Sequence, residues 1–294
     1  MMLILSGFLL VFIPGGLLAW PLFHVNLLSN PDLFGDLENP GMIPLLKYLQ
    51  ILQSVGLFII PPLMAAYFFD KNAFAYLKLD KRSVGKVFLL TFLVMFFSLP
   101  LINWLVSLNG MMHLPSWLNG MERWMKAAED QAAGLTETFL RADTFGVFLI
   151  NFLMIAIIPA VGEEFLFRGV LQRIFSEWFG NIHVAIFLSA FLFAAIHMQF
   201  YGIIPRMMLG ILFGYLFYWS GSLWVPVFAH FINNAAAVIA SYLIQRGILS
   251  SGYENFGETD SIFLIAGSII FTAGILYLIS RRFINKTNQP ADGQ

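Results

Sequence analysis

The chain has 294 residues, of which 59% are hydrophobic and 11% are charged, with a formal net charge of -1 and no cysteine. Soluble globular domains carry about 25% charged residues, so this composition predicts an all-α, polytopic membrane protein with side chains facing lipid. The near-neutral charge argues against a nucleic-acid partner, and the lack of cysteine excludes disulfides, thiolate metal sites and a cysteine nucleophile in this chain.

Apolar stretches follow one another along the chain, each near the roughly 20 residues that a helix needs to cross a bilayer. They predict about eight transmembrane helices in a single integral membrane domain, residues 1–285, and a disordered polar tail, residues 286–294. The first stretch lacks a basic region before it, so it is interpreted as a span and not as a cleaved signal peptide. The predicted spans are residues 3–24, 43–69, 86–108, 147–175, 183–200, 203–219, 222–245 and 261–280.

Lysine and arginine are distributed unevenly between the two sides of these spans, and cytoplasmic loops carry the excess of such residues. The sequence therefore predicts a multi-pass protein of the cell membrane with both termini in the cytoplasm. The basic residues assigned to the cytoplasmic side are Lys71, Lys78, Lys81, Arg82, Lys86, Arg173, Arg281, Arg282 and Lys286. Those assigned to the outer side are Arg123, Lys126, Arg141, Arg206 and Arg246.

The longest connection between predicted spans covers residues 109–145. Residues 117–142 within it are amphipathic, which predicts a helix lying on the membrane surface. We interpret this segment as a structural cover for the bundle.

Several ionisable residues lie inside the predicted spans, where charge is costly and usually functional. Glu164 and Arg168 are four residues apart on one helix face, so we expect them to neutralise each other. Glu163 is rotated by about 100° from Glu164, and a carboxylate without that partner suits a general acid or base. Pro159 and Gly162 come just before it and are expected to kink the helix and make room for water.

Two further polar motifs follow in later spans, "FAAIH" and "HFINN". Phe193 and His197 are four residues apart on one helix face, as are His230 and Asn234, whereas Asn233 is turned aside. Each motif also has a purely structural interpretation. His197 could be a packing residue, and His230 with Asn234 could form a hydrogen-bonded pair that joins two helices.

The depth of these residues in the membrane favours a shared site. Counting 1.5 Å per residue from one side, Glu163 lies roughly 18 Å and His197 roughly 21 Å deep. The same count places His230 and Asn234 roughly 12 and 18 Å deep. Independent packing residues have no reason to share one layer, so the four are expected to meet.

Two kinds of chemistry fit this set of side chains. Glu163, His197 and His230 could bind a divalent metal such as Zn²⁺ with an open position for water. Alternatively, Glu163 and His197 could activate water directly while His230 and Asn234 donate hydrogen bonds to an oxyanion. Both arrangements would hydrolyse an amide bond.

Taken in order, the three motifs resemble the CPBP family, which includes CAAX proteases and bacteriocin-processing (Abi) enzymes. The family pattern of Glu-Glu-x-x-x-Arg, Phe-x-x-x-His and His-x-x-x-Asn stands here as "EEFLFR", "FAAIH" and "HFINN". The resemblance covers about residues 147–240, with the catalytic helices at about 147–245. Each motif is weak alone, but the ordered set is specific.

The resemblance implies an eight-helix intramembrane endopeptidase with a cavity open towards the cytosol. Its substrate would be a peptide or protein at the lipid bilayer, either prenylated and of the CAAX type or bacteriocin-like. Glu163 and His197 would activate water, and His230 and Asn234 would stabilise the oxyanion. The supporting residues would be Glu164, Arg168 and Phe193.

The chemistry of the family has been described both as metal-dependent and as metal-free, so a zinc cofactor stays an alternative. We favour no cofactor, because Asn234 is a poor zinc ligand and a good hydrogen-bond donor. Two other functions compete with proteolysis. One is a non-proteolytic scaffold or bacteriocin self-immunity protein that binds in the same cavity. The other is an ion-coupled transporter, which the absence of an inverted repeat disfavours.

Overall fold

The computed structural model describes residues 2–25, 40–81, 83 and 85–287, and within them it is helical with no strand. Among these described residues, six helices are long and apolar enough to cross a membrane, or seven when one bent pair is counted as a single span. A further apolar helix, Ile182–Ala195, is shorter than these spans. The predicted all-α polytopic architecture is therefore confirmed. Residues 288–294 of the predicted tail lie outside the described residues, and residues 286 and 287 still belong to the last helix.

Within the described residues, ten helices of at least 12 residues form the bundle. They are α1 (Met2–Phe23), α2 (Ile43–Phe69), α3 (Gly85–Phe97), α4 (Leu99–Gly110), α5 (Asn119–Leu140), α6 (Phe145–Phe179), α7 (Ile182–Ala195), α8 (Ile203–Ser220), α9 (Trp224–Gln245) and α10 (Ile262–Thr287). The surface helix predicted in the long connection is α5, which is amphipathic and largely exposed.

The longest span, α6, is interrupted by two π-helical turns, Phe152–Ile157 and Phe165–Leu171. The first turn has a cause in the sequence, since Pro159 has no N–H to bond the carbonyl of Ile155 four residues earlier. The N–H of Ile158 bonds instead to the carbonyl of Leu153, one residue further back than in an α-helix. Such turns widen a helix and are frequent at functional sites.

Two of the predicted spans differ from the structure. The third is bent by 42° between α3 and α4, where Pro100 in the first turn of α4 removes a backbone donor. The fifth ends at Ala195, five residues before its predicted end. His197 therefore lies in the turn after α7 and not within a helix, and the next residue, Met198, has a positive φ of 52°.

Glycines bring the central helices close together. A Cβ atom at Gly210 of α8 would lie 2.9 Å from the Cβ of Ala190 on α7. A Cβ at Gly162 of α6 would lie 2.8 Å from the Cβ of Phe58 on α2. Small residues at such crossings let helix backbones approach without side chains between them.

Different elements pack together at the two ends of the bundle. Leu3, near the start of α1, packs against the cluster that contains Leu77 of the loop between α2 and α3. Ile279, late in α10, belongs to the same hydrophobic cluster as Val87 near the start of α3. The start of α1 and the late part of α10 thus lie at the same end of the bundle as that loop. At the opposite end, Phe139 of α5 packs with Met154 of α6.

Candidate active site

A cavity of about 360 Å³ lies between α2, α5, α6, α8, α9 and the turn after α7. Glu163, His197, His230 and Asn234 all line it. The sequence predicted that these four residues would meet in one layer, and the structure brings them together. Their side chains come from α6, the turn after α7, and α9, so the site exists only in the folded bundle.

Glu163 occupies the centre of this group. Its Oε2 atom lies 4.0 Å from Nε2 of His197 and 3.9 Å from Nε2 of His230. The Glu163 side chain is 12% exposed, and Oε2 is buried with no hydrogen-bond partner within the described part of the chain. Most buried acceptors in native proteins are satisfied, so an unpaired one on a cavity wall is a candidate position for a bound water or ligand.

His197 is oriented by the end of its own helix. Because α7 stops at Ala195, the carbonyl of Phe193 is one of the last in the helix and lacks a regular helical partner. Nδ1 of His197 lies 2.7 Å from this oxygen. A carbonyl only accepts, so Nδ1 carries the proton and donates, and Nε2 of the neutral ring presents a lone pair on the side of Glu163.

Glu164 lies on the other side of α6 in a fully buried polar cluster. Its Oε1 atom accepts from Nη1 of Arg168 at 2.8 Å and lies 2.9 Å from Nδ1 of His230. Nη2 of Arg168 donates to the carbonyl of Gly210 at 3.0 Å. The ion pair expected between Glu164 and Arg168 is present, and His230 joins it, a contact that the sequence did not predict.

Aromatic rings enclose the guanidinium of Arg168. Its Cζ atom lies 4.7 Å from the ring centre of Phe193 and 5.4 Å from that of Phe213. Phe213 also stacks on His230, with ring centres 5.3 Å apart. Rings next to a desolvated cation attract it through their negative faces, so they stabilise the charge where water does not reach.

Asn234 bonds the carbonyl that the π-helical turn of α6 leaves open. Its Nδ2 donates to the oxygen of Ile155 at 3.1 Å, and its Oδ1 accepts from Nδ2 of Asn233 at 3.2 Å. The residue four positions after Ile155 is Pro159, which explains why that carbonyl is available. Asn233, predicted to be turned aside, lines the cavity as well.

The interhelical hydrogen bonds of the packing interpretation are present, because His230 and Asn234 each bond α6, through Glu164 and Ile155 respectively. The two side chains do not bond each other. Both side chains tie α9 to α6 while also lining the cavity.

Sequence reasoning missed part of the cavity wall. Arg206 and Gln199 line it, although the sequence indicated only that Arg206 lies on the outer side of the membrane. Gln50 of α2 and Phe139 of α5 also line it. The amphipathic pattern of α5 predicted a helix that covers the bundle, but nothing in the sequence indicated which part of the bundle it covers.

A zinc site was the alternative arrangement for Glu163, His197 and His230. Among the described residues, no three His, Asp or Glu side chains come together as a group that could hold a metal ion. The Nε2 atoms of both histidines face Glu163, while Nδ1 of His230 bonds Glu164 and Nδ1 of His197 bonds a backbone carbonyl. We therefore derive no chemical step through a metal.

Comparison with known proteins places the motifs in a family. Residues 145–236 match the sequence profile described as "Type II CAAX prenyl endopeptidase Rce1-like". The "Uncharacterized protein YpbD" of Bacillus subtilis (strain 168) is 32% identical over 89 residues, which is 29% of this chain and 42% of that relative. The match thus spans less than half the length of the curated relative. No solved structure matches.

The segment that matches the profile contains both glutamates of "EEFLFR", His197, His230 and Asn234. The resemblance to CAAX-type proteases that the motifs predicted is confirmed over this segment. The chain is a multi-pass membrane protein whose residues 145–236 are similar to the Rce1-like family of type II CAAX prenyl endopeptidases.

Proposed function

We propose that the chain is an intramembrane endopeptidase in which Glu163 and His197 activate a water molecule. The observation that supports this most is the buried Oε2 of Glu163, unpaired within the described residues and about 4 Å from two imidazole nitrogens. That separation is too long for a direct hydrogen bond and suits a water held between the groups. The substrate would be a membrane-associated peptide or protein, prenylated and CAAX-type or bacteriocin-like.

Two acceptors would then share the attacking water. Its hydrogens would point to Oε2 of Glu163 and to the lone pair on Nε2 of His197, and its oxygen would face the scissile carbonyl carbon. As the C–O bond forms, one proton moves to one of these acceptors, which later gives it to the departing amine. General base and acid catalysis of this kind contributes about 10²–10⁴-fold.

His230 would stabilise the oxyanion. It would donate Nδ1–H to Glu164 and Nε2–H to the developing oxyanion. Glu164 and Arg168 act through His230, as positioning residues.

Asn234 would supply the second oxyanion donor. One N–H of its amide is held by Ile155, which leaves the other N–H for the substrate oxygen. Hydrogen-bond donors fixed in advance by the fold stabilise the charge that develops during amide hydrolysis. The bond to Ile155 would therefore orient the catalytic amide.

The direct experiment is cleavage of a pool of membrane-anchored peptides by the purified protein, with products identified by mass spectrometry. We expect one internal bond to be cut at the same rate with and without a chelator of divalent metals, because no step needs a metal. A pool that stays intact would contradict the endopeptidase. Loss of cleavage with the chelator, restored by Zn²⁺, would contradict the metal-free mechanism.

A second candidate is a non-proteolytic scaffold or self-immunity protein that uses the same cavity for binding. It is favoured by the bonds of His230 and Asn234 to α6, which would hold the bundle together without any chemistry. Such a protein would bind peptides from the pool and release them intact.

A further inference from the structure

The cavity has a guanidinium that the proposed mechanism does not use. Arg206 belongs to the first turn of α8 and lines the cavity beside His197 and Gln199. We infer that Arg206 binds a carboxylate of the substrate and so sets which peptide bond reaches Glu163. This inference rests on the proposed endopeptidase and deepens it by assigning a recognition site.

Within the described residues, Arg206 forms no ion pair within 4.0 Å. Nη1 donates to the backbone oxygen of Gln199 at 3.3 Å, and Nη2 donates to the Gln199 side-chain oxygen. Both acceptors are neutral, so they orient the guanidinium without cancelling its charge. A half-buried cation at the wall of a membrane cavity favours an anionic partner, and a guanidinium binds carboxylates with two parallel hydrogen bonds.

Glu129 of α5 acts on Arg206 through its charge but forms no ion pair with it within 4.0 Å. The Oε2 atom of Glu129 accepts from the backbone N–H of Tyr201 at 3.2 Å. The space for the guanidinium is provided by Gly202, where a Cβ atom would lie 2.2 Å from Nη1. The local structure thus holds Arg206 in place and leaves some of its five donors for a ligand.

The position of Arg206 along α8 relates it to the scissile bond. Seven residues separate it from Phe213, which stacks on His230. That separation is about 10 Å along the helix axis. A carboxylate bound by Arg206 would therefore be held at a fixed distance from the peptide bond that faces Glu163.

The carboxylate could come from the peptide C-terminus or from an acidic side chain, so the test uses three forms of each peptide. These are the free acid, the C-terminal amide, and the amide with glutamate as its last residue. Wild-type protein should cut the free acid or the glutamate form with kcat/KM about tenfold or more above that of the plain amide, mainly through KM. Preference for the free acid would identify the C-terminal carboxylate as the group that Arg206 binds. Preference for the glutamate form would identify an acidic side chain instead.

In Arg206→Gln, the ratio of kcat/KM for the preferred carboxylate form to kcat/KM for the plain amide should fall close to one. Arg206→Lys should retain part of this preference because the positive charge stays. Arg246→Gln, at an exposed arginine after α9, is the matched control and should keep the wild-type ratio. Equal cleavage of all three forms by the wild-type protein would overturn the inference while leaving the endopeptidase intact. An undiminished ratio in Arg206→Gln would overturn it as well.

A binding measurement separates the two proposals. Glu163→Gln should bind fluorescent peptides without cutting them, and should bind the carboxylate-bearing forms about tenfold more tightly than the plain amide. If the wild-type protein cuts no peptide but this preference in binding is found, the endopeptidase fails and the carboxylate site stands. If Glu163→Gln binds the three forms equally, the carboxylate site fails.

Discussion

Glu163 and Glu164 are adjacent in the sequence, yet their environments have little in common. Glu164 is completely buried and its Oε1 bonds Arg168 and His230, whereas Glu163 lines the cavity. The difference follows from the helix, because neighbouring side chains point about 100° apart. A buried carboxylate with two charged or polar partners fixes structure, and one that faces a cavity is available for chemistry.

His197 provides a test that distinguishes an enzyme from a scaffold. We expect His197→Gln to lower the cleavage rate about 10²-fold or more, since the lone pair on Nε2 would be lost. Its melting temperature should stay near that of the wild-type protein, because the side chain is 29% exposed and lies beyond the helix end. The same change at His183, exposed at the other end of α7, should leave the rate unaltered. Cleavage by His197→Gln at the rate of the control would contradict the assigned role.

Arg168 should be a determinant of stability. Arg168→Met leaves Glu164 buried without its cation, which typically costs about 3–5 kcal/mol. Thermal unfolding in detergent should show a large fall in melting temperature for this variant and little change for Arg246→Met. Adding Glu164→Gln to Arg168→Met should recover part of the loss, since the uncompensated charge is removed. If the double variant recovers no stability, the destabilisation of Arg168→Met does not come from the uncompensated charge of Glu164.

At the scale of elements, the site depends on irregularities in α6 and α7. The π-helical turn before Pro159 opens a carbonyl for Asn234, and the early end of α7 opens a carbonyl for His197. In both cases a backbone acceptor without a helical partner orients a side chain of the candidate site. The polar residues are thus positioned by breaks in regular structure.

A double-mutant cycle between Pro159 and Asn234 tests this coupling. Asn234→Ala should destabilise the protein by about 1–3 kcal/mol, because the carbonyl of Ile155 is left unsatisfied. In a Pro159→Ala background, residue 159 regains an N–H that can bond this carbonyl, so the same change should cost about 1 kcal/mol less. Unfolding free energies of the four proteins give the coupling, and equal costs in both backgrounds would refute it.

Much of the site could be predicted from the sequence because side chains four residues apart share a helix face. That rule placed Glu164 with Arg168 and separated them from Glu163. It did not predict the end of α7, since the apolar run continues past Ala195 and no glycine or proline marks the break. Nor could it find the contact between His230 and Glu164, which depends on how α9 packs against α6.

At the scale of the whole molecule, two expectations about orientation conflict. The lysine and arginine distribution predicts cytoplasmic termini, and the resemblance implies a cavity open to the cytosol. In the structure, the start of α1 and the end of α10 pack at one end of the bundle, whereas α5 covers the cavity from the other. If the termini are cytoplasmic, substrates reach the cavity from the outer side.

Labelling of single cysteines decides the orientation, and the chain is suited to it because it has no native cysteine. Lys71→Cys lies in the loop at the end that holds the termini, and Lys126→Cys lies on α5; both positions are exposed. From the distribution of basic residues we expect a membrane-impermeant reagent on intact cells to label position 126 and not 71. Both should react once the membrane is dissolved. The reverse pattern would place the cavity side in the cytosol.

The central claim is that the carboxylate of Glu163 activates water, and the direct measurement is the cleavage rate of Glu163→Gln against wild-type protein at equal folded concentration. Glutamine preserves the size of the side chain but accepts no proton, so the rate should fall by about 10²–10⁴-fold while the melting temperature stays close to that of the wild-type protein. A fully folded Glu163→Gln that cuts the same bond at the wild-type rate would contradict the account.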